Sequence, residues 1–271
     1  MFEILDQRAI LQISGPDSQK YLQGITTNDV VNKKYTYNYL LNNQGRYLFD
    51  CFIYQHSVNN YFLDVAAICI DRLIKRMTLY KLRSNLTIKN VTKEYKILYS
   101  REKINDSDYS ILDPRYNKLG YRSLVIENKI NKMQVLTKHS YMSDKYCYSI
   151  IDGYLDLIEE KSIPIEYGAE ELNAIDYKKG CYIGQEVISR AKYQGVIRKK
   201  IYKLSFAENI QANYSHNEVM DLQGNSIGRV CSMYNNLAIA LIREEKYLGL
   251  QQKKVIVNGT VADISIPFWR S

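Results

Sequence analysis

A chain of 271 residues, 46% hydrophobic and 24% charged, has the composition of a globular protein with room for about two domains. Its longest apolar runs, Tyr61–Ile70 and Leu237–Ile242, fall short of the roughly 18–20 residues that cross a bilayer, so no membrane partner is expected. The net charge of +8 fits anionic partners, but Lys, Tyr, Asn and Ile are all abundant, so the position of the charge informs more than its sum.

The opening Met1–Arg8 carries acidic residues and alternates like a strand, unlike the basic and apolar start of a secretory signal, and a cytosolic (cytoplasmic) location is expected. Arg8–Ser14 alternates like a half-buried strand. Gly15-Pro16-Asp17 then starts a short helix that Gly24 can stop. Tyr35–Leu41 and Arg46–Gln55 read as strands joined by the hairpin signal Asn42-Asn43-Gln44-Gly45. A strand over Tyr61–Ala66 precedes Ala67–Arg83, where Ile70, Leu73, Ile74 and Met77 have the spacing of an amphipathic helix. Leu86–Val91, Lys96–Tyr99 and Tyr121–Ile126 predict further strands, and Tyr141–Glu159 a helix. This mixed order argues an α+β class. Beyond about residue 200, short runs at Lys200–Phe206, Ile227–Met233, Leu237–Arg243 and Lys254–Val257 predict a small antiparallel barrel or sandwich. The division expected is 1–200, itself in two parts, and 201–271.

Several chemistries lack their signatures. No glycine-rich phosphate loop, zinc spacing or nucleophile elbow occurs, and His56, His139 and His216 are isolated. Five cysteines at irregular spacing, without a C-x-x-C pair, argue reduced thiols rather than a disulfide framework. Cys51, Cys69 and Cys231 stand among apolar residues, and Cys147 between tyrosines; all four read as small core side chains. Cys181 differs. It lies in a segment with Lys178, Lys179, Arg190, Lys192, Arg198, Lys199, Lys200 and Lys203, against Glu186 alone, with Tyr182, Tyr193 and Tyr202 interleaved. Nearby cations stabilise a thiolate, and Gly180 and Gly184 leave the sulfur accessible, so a pKa below the free value is expected there. One thiolate cannot close a four-ligand cluster site, so a metal role needs a second molecule.

Lys179–Glu186 reads KGCYIGQE, which resembles the signature of the YgfZ-type folate-binding proteins in the aminomethyltransferase (GcvT-like) superfamily. The continuation Val187–Lys200 is most similar to the branch of mitochondrial-type iron–sulfur cluster assembly factors. Collinear pieces extend the likeness: Ile13–Asp17, Leu22-Gln23-Gly24, Thr27–Val30, Asn43–Asp50, Asp113-Pro114-Arg115, Leu119–Arg122, Gly224–Val230 and Leu237–Arg243. The resemblance implies a ring of three parts ending in a C-terminal β-barrel, with a tetrahydrofolate site near the centre and the cysteine at its rim. Two departures stand out. The glycine-cleavage aminomethyltransferases carry an acidic pair where Phe49-Asp50 stands here, and Ser149–Gly153 does not reproduce their Arg-x-Glu element.

These residues point to a folate-binding accessory protein for 4Fe–4S cluster assembly rather than a classical enzyme. Cys181 would supply a thiolate to a cluster shared with an iron–sulfur carrier protein, Lys179 would favour its ionised form, and Tyr182, Gln185 and Glu186 would line or fix the site. Asp50, with Arg122 beside it, would meet a reduced folate. Two other readings remain. One is a folate-dependent one-carbon transferase with Asp50 as its acid/base group. The other is a tRNA-binding or tRNA-modification factor that uses the basic, tyrosine-interleaved segment on RNA.

Overall fold

The fold is built around a central sheet whose strands are buried on both faces, except for the exposed edge strand Thr87–Asn90. In the computed structural model, which describes residues 1–105, 107–130, 140–210, 214 and 216–270, the N-terminal half runs β1 (Glu3–Ile4), β2 (Arg8–Ser14), α1 (Ser18–Ile25), β3 (Tyr35–Leu41), β4 (Tyr47–Ser57), β5 (Asn60–Ala66), α2 (Ile70–Lys81) and β6 (Thr87–Asn90). These strands, without β1, pair antiparallel in the order β3-β4-β5-β2-β6. On β4 the side chains of Phe52 and Tyr54 enter one core, while Cys51 and Ile53 enter another beneath Tyr21, Leu22, Leu73 and Met77 of α1 and α2. Both faces are covered, which is why β2 is almost wholly buried rather than half-exposed as its alternation suggests.

The expected hairpin joins β3 to β4. Asn42 Oδ1 accepts the amides of Gln44 (3.0 Å) and Arg46 (2.9 Å), and Gly45 turns at φ +67°.

A second sheet follows, from β7 (Tyr95–Ser100), β8 (Tyr109–Leu112) and β9 (Tyr121–Ile126), in the order β1-β7-β9-β8. After α3 (Glu127–Ile130), the single helix expected over Tyr141–Glu159 is two: α4 (Ser140–Tyr148) and α5 (Gly153–Asp156). Ser149 turns at φ +56°, and the chain brings Gly153 so close to Asp50 that a Cβ there would stand 2.2 Å from Asp50 Oδ1. α6 (Gln185–Tyr193) then leads into β10 (Lys199–Phe206), β11 (Glu218–Met220), β12 (Ser226–Tyr234), β13 (Leu237–Arg243), α7 (Glu244–Leu248), β14 (Lys254–Val257) and β15 (Thr260–Ser265). The last six strands close into a barrel, β10-β13-β12-β11-β14-β15. Its interior is filled by Leu204, Val230, Ala240, Val255 and their neighbours, so it is a packed core. The α+β class with a small C-terminal β-barrel is therefore the fold of this chain.

Buried ion pairs hold the parts together. Asp64 on β5 accepts from Arg8 Nε on β2 and from Arg122 Nε on β9, both at 2.6 Å, so one carboxylate ties the two sheets. Arg115 grips Asp113 (2.7 Å) and the Ile151 carbonyl (2.9 Å), and Asp156 joins Lys145 on α4 to Ser232 in the barrel. Burial alone would raise the Asp152 carboxyl, but the Arg115 and Lys145 cations beside it hold it down at about 2.

Candidate functional site

The segment carrying Cys181 is a loop seated on the first third of the chain. Lys179 donates from Nζ to the carbonyls of Thr26 (2.5 Å) and Asn28 (2.8 Å). The Ile183 amide donates to Gly24 O at 3.1 Å, where α1 ends, and the Asp176 amide to Thr27 O at 3.0 Å. Lys33 closes the entrance with an ion pair to Asp176 (2.8 Å). At the far end Gly184, at φ +83°, packs on the β3–β4 turn: a Cβ there would lie 2.7 Å from Asn42 O and 3.1 Å from Gly45 Cα. Separate stretches of the sequence, Leu22–Gly24, Thr27–Val30, Asn42–Gly45 and Lys179–Glu186, thus converge on one spot.

Within this loop the roles of the residues divide. Cys181 is exposed, and a Cβ built at Gly180 meets nothing within 4 Å, so the space beside the thiol is open. Lys179 is buried, and its ammonium is committed to two main-chain carbonyls; its role is to fasten the loop rather than to stand over the sulfur. Burial pushes the Lys179 ammonium down to about 8. Tyr182 is buried too, with Lys179 Nζ 5.1 Å from its ring centroid, so it anchors the loop in the core and offers no face to a ligand. Gln185 opens α6 with its amide on Tyr182 O (3.2 Å), and Glu186 is exposed and paired with Arg190 one turn on (2.9 Å).

The other cysteines sort by burial. Cys51, Cys69 and Cys231 are buried, which raises their thiols and drives Cys231 up to about 12. Cys147 departs from its expected place in the core: it is exposed on α4, whose buried face is Tyr141, Lys145 and Tyr146. Among the described residues no three His, Cys, Asp or Glu side chains gather as a metal-binding group. His139 lies outside the described residues.

The centre is packed differently from the expectation for a folate site. Asp50 is buried and accepts from Tyr37 Oη (3.0 Å), Tyr47 Oη (3.1 Å) and the Gly153 amide (3.3 Å). Burial raises its carboxyl, partly offset by Arg8. The space beside it, lined by Tyr47, Phe49, Val65, Cys69 and Leu73, has a cavity volume of about 0 Å³, whereas small-molecule sites take roughly 300 Å³ or more. Arg122 is 1% exposed, bonded to Asp64 and stacked 4.0 Å from the Phe52 ring centroid. Arg122 Nη1 has no hydrogen-bond partner among the described residues, but it is buried, and as packed here the space beside Asp50 is too small to admit a pterin.

The glycines of the loop make a paired test. Gly184→Ala places a Cβ at positive φ against Asn42 O, and a loss of about 2 kcal/mol or more is expected from the urea midpoint. Gly180→Ala faces open space and is expected to leave the midpoint within about 0.5 kcal/mol.

Comparison with known proteins agrees with this layout. Residues 4–99 match the model of the GCVT N-terminal domain, and residues 198–271 that of the CAF17 C-terminal beta-barrel domain. The iron–sulfur cluster assembly factor IBA57 homolog, mitochondrial, of Pyricularia oryzae is 30% identical, the match covering 90% of this chain and 72% of that protein. The chain belongs to the IBA57 family. The human member, named iron–sulfur cluster assembly factor IBA57, mitochondrial, is 26% identical, with 98% and 84% covered. The family is the mitochondrial-type branch of the expected superfamily, not the YgfZ proteins as such. The names of both relatives place them in mitochondria, against the cytosolic location expected from the N-terminus. No described helix is long and apolar enough to cross a membrane. The crystal structure of the glycine cleavage system aminomethyltransferase T from Bartonella henselae superposes with a TM-score of 0.74 at 13% identity, covering 98% of this chain and 85% of that one. At that identity the likeness is one of fold alone.

Proposed function

We propose that this chain assists iron–sulfur cluster assembly, with Cys181 lending one thiolate to a cluster held jointly with a carrier protein. The observation that carries the reading is the exposed thiol of Cys181 on a loop fastened at both ends, beside open space and in a family of assembly factors. A cluster iron takes several soft ligands, and with one such thiolate in this loop the remainder must come from the carrier. The cluster is cargo; the fixed loop limits the rotational freedom that a bridging ligand would otherwise lose on binding.

Anaerobic reconstitution with an iron–sulfur carrier protein tests this, read by the visible absorption and circular dichroism of the complex and by iron per complex. The wild-type pair is expected to hold one shared cluster, and the Cys181→Ala pair none, at unchanged far-ultraviolet dichroism. A shared cluster at the wild-type level with Cys181→Ala would overturn the reading.

A further inference from the structure

The surface around Cys181 is shaped and charged for a particular kind of partner. The chain enters the cysteine loop at Tyr177 and leaves through α6, and the two ends touch: the rings of Tyr177 and Tyr193 lie 6.1 Å apart, with Lys192 Nζ 3.8 Å over the Tyr177 ring. The loop and the outer side of α6 are therefore one continuous face. On it, apolar side chains stand in solvent: Val187 is 41% exposed, Tyr193 68% and Val196 83%. Cations flank them in sequence. Arg190 is satisfied by Glu186 and Lys192 by Glu170, while Lys178, Arg198 and Lys199 form no ion pair among the described residues.

We propose that the face bearing Val187, Arg190, Tyr193, Val196, Arg198 and Lys199 is the docking surface for the cluster carrier, and that the carrier meets it with an acidic rim around an apolar patch. This rests on the reading of Cys181 as a shared cluster ligand. Unpaired cations at the rim steer an acidic partner and set the rate of encounter. An exposed tyrosine between two valines supplies the kind of anchor from which an interface draws most of its affinity. The same residues suit RNA poorly. Of the three tyrosines interleaved with the basic residues, Tyr182 and Tyr202 are buried, so Tyr193 is the one ring left for a base to stack on. Val187 and Val196 add apolar surface that a phosphate backbone has no use for.

The test uses the full chain with the same carrier, titrated by calorimetry at about 0.05 and 0.3 M salt. It is paired with alkylation of Cys181 by iodoacetamide in a Cys147→Ser background. Reversing charge in K178E/R198E/K199E is expected to weaken association at least about tenfold at low salt and to flatten the salt dependence. Tyr193→Ala is expected to weaken it about tenfold at both salts. Tyr193→Ala is expected to leave the alkylation rate unchanged, which confirms that the loop is intact; for the triple variant, whose Lys178 stands near the thiol in sequence, an unchanged urea midpoint and far-ultraviolet dichroism serve that purpose. If the triple variant binds the carrier with wild-type affinity and salt slope, and the shared cluster still forms, the surface proposal fails and the Cys181 reading survives. Salt-dependent docking on this face without a shared cluster leaves the surface standing and sinks the Cys181 reading. A wild-type chain that does not bind the carrier at all overturns both. Loss of polyuridylate binding by the triple variant, with carrier binding intact, gives the face to RNA and overturns the proposal.

Discussion

Asp64→Ala is expected to cost about 3–5 kcal/mol, among the largest losses available to a single substitution in this chain. The carboxylate is fully buried and sits between two guanidinium groups that are buried as well, those of Arg8 and Arg122. Removing it leaves two buried cations beside Phe52 without the carboxylate that hydrogen-bonds both, with Asp152 and Asp50 as the remaining carboxylates that act on Arg8. Total stabilities of domains are about 5–15 kcal/mol, so the variant should lose much of its margin, with a fall in the urea midpoint and in Tm. The design of the network makes a sharper claim possible. Because a buried ion pair gains little over a well-packed apolar replacement, R8M/D64L/R122M should recover most of what Asp64→Ala loses. Recovery would place the penalty in the stranded charges. Equal destabilisation of both variants would place it in the shape of the junction between the sheets. A loss below about 1 kcal/mol for Asp64→Ala would contradict the sealed interior described here.

That network also marks how far sequence alone reaches. The strands and the hairpin at Asn42–Gly45 are written in local pattern, and β3, β9, β13 and β14 fall where alternation and turn residues put them. The cysteine motif is legible as a string of residues. What a string does not carry is the direction of a long side chain. Lys179 and Cys181 are two residues apart, a spacing that suggests a cation beside a thiol, yet the Lys179 side chain runs inward to carbonyls more than 150 residues away in sequence. Tyr182 and Tyr202 count as interleaved aromatics in sequence and belong to two cores in the fold. Asp50 and Arg122 are polar residues of the kind that meet ligands; here Tyr37 and Tyr47 reach Asp50 within the β3–β4 hairpin, while Gly153 and, for Arg122, Asp64 come from distant segments. The contacts of Lys179 with Thr26 and Asn28, of Asp50 with Gly153 and of Arg122 with Asp64 are long-range pairings, which no local pattern encodes.

Lys179 gives the prediction in which loop, charge and function meet. Its ammonium is buried and held down at about 8, below the value near 10.4 of an unfolded lysine. The sign follows from proton binding. Between these two values the unfolded chain keeps the proton that the folded chain has released, so stability rises with pH across that window. Below about pH 8 both states are protonated and the burial penalty is present in full. Lys179→Met keeps the length of the side chain and removes the titration. Urea unfolding from pH 7 to 10 is therefore expected to show wild type gaining stability relative to Lys179→Met as the pH rises, with no such divergence below pH 7. Parallel curves throughout would mean that the ammonium is not enclosed. The substitution also leaves the Thr26 and Asn28 carbonyls without their donor, at roughly 1–3 kcal/mol. With its fastening gone the loop should wander, and the shared cluster should form in lower yield while carrier docking on α6 persists. Lys179→Arg provides the control. It restores a cation but not the fit in a site built for one Nζ between two carbonyls, so rescue is expected to be partial. Full cluster yield in Lys179→Met would show that the position of Cys181 does not depend on this buried lysine.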